Sequence, residues 1–240
     1  EIMINIDTIY QRVLVLANKE QRGYITPQEF NLYANQAQME IFEQYFHDLN
    51  QQSRIPGNEY VYADADDMLE EKIQVFEHVD GPVAIGAYLL GGSPQVKQLP
   101  GYMYRVSRIE FNNNTCELLK TSDFNDVRSG GPLTRPSNTM PVANIRNNLM
   151  RVVGSNAALV IPTGIFYFKK PATVGWGYFV VGHKALYDST SPATMHFELH
   201  QAEETELVYK ILKYSGLSMK RDDVAKGGQG LESLQVSQEK

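Results

Sequence analysis

The chain has 240 residues, 42% of them hydrophobic, with a formal net charge of -6 and a pI near 5.4. That length and apolar content suit one large domain or a core with appendages. The acidic balance argues against a protein whose main task is to grip nucleic-acid phosphates, which takes a clustered excess of Lys and Arg. Cys116 is the only cysteine, so an intrachain disulfide and a thiolate-type structural zinc site are excluded, and a reducing compartment of synthesis is indicated. No stretch is long and apolar enough to cross a bilayer, and the N-terminus has no basic segment followed by an apolar one, so no membrane anchor is expected. Met3 offers a start, which would make Glu1 and Ile2 an extension.

In chain order, Ile6, Ile9, Val13 and Leu16 fall at helical spacing and predict an amphipathic helix over 5–20, ended by Gly23. Thr26-Pro27-Gln28-Glu29 is a capping box with proline at the first helical position. It starts a helix over 27–50 whose stripe is Phe30, Ala34, Ala37, Ile41, Tyr45 and Leu49. After a breaker cluster at Arg54-Ile55-Pro56-Gly57-Asn58, Ala65 to Phe76 predicts a third helix with Met68, Leu69, Ile73 and Phe76 on its apolar side. Strand-and-turn sequence follows, beginning with Val83 to Leu90. Tyr102, Tyr104 and Val106 alternate with polar residues before Ile109 and Phe111 take over the apolar phase, which places a β-bulge near Ser107-Arg108. A turn at Asn112-Asn113-Asn114 returns the chain through Thr115 to Leu119, and 121–141 is expected as a long loop. Leu149 to Val153, Leu159 to Ile161, Ile165 to Lys169 and Trp176 to Val181 are further expected strands, with Phe197 and Leu199 closing the sheet. A last helix over Ala202 to Ser215, acidic at its start, basic at its end and stopped by Gly216, precedes a Gly-, Gln- and Ser-rich tail over 221–240 expected to order on a partner.

The fold class expected from this order is α+β. An N-terminal helical hairpin accompanies an antiparallel β barrel or sandwich, followed by a C-terminal helix and a flexible tail. The corresponding regions are 1–80, 81–200, 201–219 and 220–240.

Tests for chemistry fail one after another. His196-Phe197-Glu198-Leu199-His200 has histidines four apart, but its glutamate does not follow the first histidine, and the alternation of Phe197 and Leu199 favours a strand end. Asp64-Ala65-Asp66-Asp67 lacks the glycine and the closing glutamate of a calcium loop. Gly86-Ala87, Gly91-Gly92 and Gly227-Gly228-Gln229-Gly230 lack the Lys-Ser/Thr of a phosphate loop. No cofactor, metal ligand or catalytic residue is therefore assigned, and the expectation is a protein that is not an enzyme. The rival from another class is a barrel-fold hydrolase or lyase with His183, Asp188 or His196 at its site.

The opening segment, Ile6-Asp7-Thr8-Ile9-Tyr10-Gln11 through Lys19-Glu20-Gln21-Arg22-Gly23-Tyr24-Ile25-Thr26-Pro27-Gln28-Glu29-Phe30-Asn31 to Ala34-Asn35-Gln36-Ala37-Gln38, resembles structural proteins of tailed bacteriophages. The similarity is to neck or ring proteins of crAss-like and related podovirus-type phages. Leu99-Pro100-Gly101-Tyr102-Met103-Tyr104-Arg105, Tyr167-Phe168-Lys169-Lys170-Pro171-Ala172, Gly175-Trp176-Gly177-Tyr178 and the closing helix follow the same layout. The resemblance implies a virion protein assembled in the bacterial host cytoplasm. Its role would be that of a head-to-tail adaptor below the portal, closed into a homo-oligomeric ring, a dodecamer. Double-stranded DNA would pass through the channel without specific binding, and the partners would be the portal protein and adjacent neck or tail proteins. A tail tube or minor capsid protein is the alternative within the virion.

Ring closure takes a heterologous interface. Candidates for it are Ile9, Val13, Phe30, Ile41 and Tyr45 on the two helices, with Arg128, Leu133 and Arg135 in the 121–141 loop and Leu231 and Leu234 in the tail for docking to neighbouring proteins. The alternative is that the helical stripes are buried on the chain's own β domain.

Overall fold

The computed structural model describes residues 3–18, 25–52, 61–81, 96–111, 114–131, 136–137, 139–153, 163–218, 229–230 and 232–233. The expected strands at Val83 to Leu90 and Leu159 to Ile161, the Gly23 stop and the Asn112-Asn113 turn lie outside them. The class is α+β, with helices at both ends of the chain and a curled seven-stranded mixed sheet plus a two-stranded one. The chain divides into two compact units, residues 1–75 with 171–240, and residues 76–170. Residues 171–200, placed with the β domain by the sequence pattern, thus group with the helices.

The helical unit contains α1 (Ile6–Asn18), α2 (Pro27–Gln52), α3 (Val61–Gln74) and α5 (Glu204–Ser218), the last entered through a 3-10 turn at Gln201–Glu203. The capping box at the start of α2 is formed: Glu29 N–H donates to Thr26 Oγ1 at 3.3 Å, and Thr26 N–H donates to Glu29 Oε2 at 3.0 Å. Hydrogen bonds from the Thr26 hydroxyl and backbone N–H hold the Glu29 carboxyl below its ordinary pKa. The apolar faces are largely those the spacing predicts. Ile6, Ile9, Val13, Phe30, Ala34, Ala37, Ile41 and Tyr45 are buried, but Leu16 and Leu49 are exposed, and Ala17 takes the place expected of Leu16. On α3 Leu69 and Ile73 are buried while Met68 is exposed; the helix ends at Gln74, so Phe76 lies beyond it, buried at the start of the β unit. Gly216 does not stop the last helix, which continues to Ser218 around a buried glycine. Tertiary burial outweighs the roughly 1 kcal/mol that a glycine costs inside a helix.

An extended segment over 171–177 lies along α2 and is paired to it by side-chain amides. Trp176 N–H donates to Asn31 Oδ1 at 2.7 Å, Val174 N–H to Asn35 Oδ1 at 2.9 Å, Asn35 Nδ2 to the Val174 carbonyl at 2.9 Å, and Gln38 Nε2 to the Ala172 carbonyl at 2.8 Å. Helix positions four apart rise about 6.0 Å, and alternate strand residues advance about 6.6 Å. Asn31 and Asn35 therefore meet residues 176 and 174 nearly in step, and Gln38, three positions on at a rise of about 4.5 Å, reaches residue 172 with its longer side chain. The odd residue between them pairs the other way: Gly175 and Met195 exchange hydrogen bonds of 3.2 and 2.9 Å. A Cβ at Gly175 would collide with the Ala193 carbonyl oxygen, and one at Gly177 with Thr194 Oγ1 and, at 2.9 Å, Ser191 Cβ, so both glycines are required by close backbone approach. Between them Trp176 is buried, its Nε1 donating to Asp7 Oδ1 at 2.9 Å and its ring lying 4.3 Å from that of Tyr10.

The β unit orders its strands β1-β7-β3-β4-β5-β6-β2, where β1 is Glu77–Asp80, β2 Val96–Gln98, β3 Met103–Phe111, β4 Asn114–Leu118, β5 Val142–Arg146, β6 Leu149–Val153 and β7 Gly164–Lys169. The β3–β7 pairing shifts register between Val106 and Arg108, where the change of apolar phase predicts a bulge. Antiparallel pairing fails at one place: β4 and β5 are parallel. The cause is a helix, α4 (Thr121–Ser129), in the segment expected as loop. It supplies the crossover that parallel neighbours need, with Phe124 buried and Asn144 Nδ2 donating to the Leu119 carbonyl at 2.9 Å. β5 and β6 form a hairpin across Asn147 and Asn148, both at positive φ (51° and 58°), a type I′ turn suited to asparagine. Ile109, Phe111, Cys116, Ala143, Met150, Val152, Ile165 and Tyr167 form most of the core. Burial, then Glu117, pushes the Cys116 thiol up to about 12, so it is inert.

Lys97 pairs with Met150 across β2 and β6 and so points to the core face; its Nζ is buried with no hydrogen-bond partner among the described residues. Burial lowers its pKa from 10.5 to about 8.

Two stability measurements follow from these contacts. Asn35→Ala strips the buried Val174 of partners for both its N–H and its carbonyl, and chemical denaturation is expected to show a loss of about 2–4 kcal/mol. Lys97→Met is expected to stabilise the chain by about 1–2 kcal/mol near neutral pH. In the wild type stability rises between pH 8 and 10.5, where the unfolded chain still holds the lysine proton and the folded one has lost it; Lys97→Met removes that rise.

Candidate interaction surfaces

Among the sequence candidates, Ile9, Val13, Phe30, Ile41 and Tyr45 are 0–4% exposed and belong to the interior of the helical unit. The expectation of a ring contact through these side chains is corrected accordingly. The stripes are occupied by packing within the unit: α1 and α2 both contact α5, and Tyr10 stacks edge-on against Phe30 with centroids 4.8 Å apart. Arg128 is exposed in the last turn of α4. Leu133, Arg135, Leu231 and Leu234 lie outside the described residues.

Of the residues of the rival hydrolase reading, one sits in a turn and two accept backbone hydrogen bonds. His183 occupies a hairpin turn with Gly182, both at positive φ (65° and 54°). Asp188 accepts from Thr190 N–H and hydroxyl at 2.9 and 2.8 Å, and these bonds lower its pKa. His196 Nδ1 accepts from Ile6 N–H at 3.3 Å, and His200 Nδ1 from Ala202 N–H at 3.3 Å, capping the 3-10 turn. Glu198, between the two histidines, accepts from Ala172 N–H at 2.9 Å.

Among the described residues of the helical unit, two exposed apolar surfaces differ in shape. One is the hairpin of β8 (Tyr178–Val181) and β9 (Lys184–Tyr187). At its base Tyr178 and Tyr187 stack on Trp176, each with centroids 5.8 Å from the indole. Beyond that anchor Phe179 and Leu186, paired on one face with Val181, are 49%, 45% and 56% exposed, and Val180 is 63% exposed on the other. The second surface is a groove of about 390 Å³ between α1 and α5, lined by Arg12, Val15, Leu16, Thr205, Val208 and Tyr209. Val15 is 59% and Leu16 37% exposed there, and the Arg12–Glu204 ion pair at 3.2 Å stands beside them. Neither surface is singled out by the sequence reading, which has Leu16 on the buried stripe; Val15 off that stripe and the Phe179-Val180-Val181 run are the signals the sequence holds.

A third feature is polar. Lys210, whose side chain is 2% exposed, has Nζ at 2.8 Å from Glu232 Oε1, 3.1 Å from Glu40 Oε1 and 3.3 Å from Glu206 Oε1. Lys213 Nζ reaches the other Glu232 oxygen at 3.1 Å, and the Tyr214 hydroxyl donates to Glu40. Burial opposes the Lys210 charge, but Glu232, Glu206 and Glu40 outweigh it and raise its pKa. Burial likewise opposes the Glu232 charge, and Lys210 and Lys213 outweigh it to hold that carboxyl below its ordinary value. Glu206 behaves otherwise: burial first, and the neighbouring Glu203, push it up to about 7 against the pull of Lys210. Glu203 is itself paired with Lys72 at 2.7 Å.

Among the described residues no group of His, Cys, Asp and Glu is arranged to hold a metal ion, and no helix is long and apolar enough to cross a membrane. No family model and no curated protein matches the chain.

The Glu206 shift has a defined sign. Between pH 4.5 and about 7 the folded chain holds a proton that the unfolded chain has released, so this group's contribution is present at low pH and is lost as pH rises through 7. Glu206→Gln is expected to flatten that fall and to leave the variant roughly 1–2 kcal/mol more stable than wild type above pH 7, as measured by denaturation across a pH series.

Proposed function

We propose that this chain is a head-to-tail adaptor of a tailed bacteriophage, assembled as a closed ring of twelve copies below the portal around the DNA channel. The reading takes its family from the resemblance of the opening segment. The observation that carries it further is the pair of unlike apolar surfaces on the helical unit. A ring needs one patch on each subunit to meet a different patch on the next, with a rotation that closes, and exposed apolar patches on an otherwise polar surface mark protein contacts. In this reading the convex β8–β9 hairpin of one copy, led by Phe179, seats in the α1–α5 groove of the next around Val15 and Leu16. The net charge of -6 fits a channel wall that lets DNA slide, because phosphates are held weakly by such a surface. The portal and the adjacent neck or tail proteins would meet the two faces of the ring.

Mass photometry and negative-stain imaging of the purified chain test this directly. The expected result is a discrete closed ring with a central hole. An open tube of undefined length would favour the tail-tube alternative, and a monomer with hydrolytic turnover would favour the enzyme. Phe179→Asp and Val15→Asp are each expected to leave the melting temperature close to wild type, since both residues are exposed, and to abolish ring closure.

A further inference from the structure

Beyond the apolar contact, the Lys210–Lys213 site has the construction of a receptor for a single carboxylate. Each Glu232 oxygen goes to a different lysine, Oε1 to Lys210 at 2.8 Å and Oε2 to Lys213 at 3.1 Å. The receptor is held without Glu232: Lys210 keeps Glu40 and Glu206, and the Tyr214 hydroxyl orients Glu40. With Glu206 pushed up to about 7 by burial, its charge only partly offsets Lys210 near neutrality, and two ammonium groups face the one carboxylate of Glu40, so the site favours a further carboxylate. The described part of the segment that brings the carboxylate is anchored through Glu232. Of its described residues Gln229, Gly230 and Ser233 are exposed, and Glu232 alone makes the ion pairs.

Chain length matters here. From Lys213 to Ser218, the end of α5, the helix rises only about 7.5 Å. Ten residues, 219–228, then separate Ser218 from Gln229, a contour of up to about 33 Å. The connection is much longer than the return to its own helix requires. An element that docks through a contact reproducible in a neighbour, on a connection long enough to reach it, is the setting in which identical elements are exchanged between copies at low cost.

We infer that in the assembled protein Glu232 of one copy occupies the Lys210–Lys213 site of the adjacent copy, so that the C-terminal segment straps neighbouring subunits together. The proposal rests on the ring reading for the presence of a neighbour, and its partner is a second copy of this chain. The same ion pairs form in either arrangement, and neighbours held at ring distance compete with the tethered site through their high effective concentration.

Crosslinking distinguishes the two arrangements. Glu43→Cys lies one turn beyond Glu40 on α2 at an exposed position, Ser233→Cys lies beside Glu232, and the native Cys116 is buried. The two single variants, each folded to wild-type stability, are mixed, allowed to assemble and treated with a flexible bismaleimide. The expected product is a covalent pair of chains that disappears when Glu232→Lys is added to the Ser233→Cys chain. A Glu43→Cys/Ser233→Cys double variant that links only within itself, with no two-chain product from mixed singles in assembled material, overturns the exchange. So does a two-chain product that survives Glu232→Lys. Mass photometry of the wild type separates this from the parent reading: rings without two-chain product leave the ring and remove the strap, whereas two-chain product in a species that is not a ring keeps the strap and removes the ring.

Discussion

A backbone strand normally completes its hydrogen bonds against another strand. In the helical unit the extended run 171–177 instead completes them on one edge against amide side chains of a helix, and on the other against the residues around Met195. This arrangement works because Asn31 and Asn35 are spaced close to the strand's two-residue advance, because Gln38 has the longer reach that its closer spacing needs, and because each carries a carboxamide able to donate and accept. Gln38 uses both functions, donating to Ala172 and accepting from Glu198 N–H at 3.2 Å. Through Trp176, whose indole reaches Asp7 and Tyr10, the same run fixes α1 on α2. Its continuation, stacked on that indole, aims the β8–β9 hairpin outward.

The exposed apolar hairpin is therefore a consequence of a buried polar ladder. A hairpin of two short strands is marginal alone; here its base is clamped by three aromatic rings, and its outer half carries Phe179, Val181 and Leu186 into solvent. The groove between α1 and α5 has a related origin. α1 turns Ile6, Ile9, Val13 and Ala17 inward, which leaves Val15 and Leu16 on the rim where α5 passes. Burying one stripe completely places the remaining apolar residues outside it, and both surfaces are exposed among the described residues.

Charge is managed differently on the two sides of α5. Toward solvent, Arg12 and Glu204 form an accessible pair of small energetic weight. Toward α2, Lys210 is buried among three carboxylates, an arrangement that is costly unless the ions are matched. Matching is reached by burial pushing the Glu206 carboxyl up to about 7, which weakens its charge near neutrality, and by recruitment of Glu232 from the C-terminal segment. The segment expected to order only on a partner thus has an intramolecular anchor at residue 232. In the β unit Lys97 has no such compensation among the described residues.

Local signals carried much of the secondary structure. The capping box, the apolar spacing of α1 to α3, the phase slip in β3 and the acidic start of α5 each act within a few residues, so they are legible in sequence and are found where they point. What was misread depends on distant partners. Thr121 to Ser129 shows little periodicity, and only the site where Phe124 is buried makes it a crossover helix that turns the next pairing parallel. Gly216 reads as a stop until its burial inside α5 outweighs its propensity. Asn31, Asn35 and Gln38 read as a polar helix face, because a side-chain amide does not reveal whether water or a backbone 140 residues away will satisfy it. The candidate interface residues on α1 and α2 were chosen for apolar character, which a core and an interface demand equally; only the tertiary structure, by burying Ile9, Val13, Phe30, Ile41 and Tyr45 and exposing Val15, Leu16, Phe179 and Val181, separated the two.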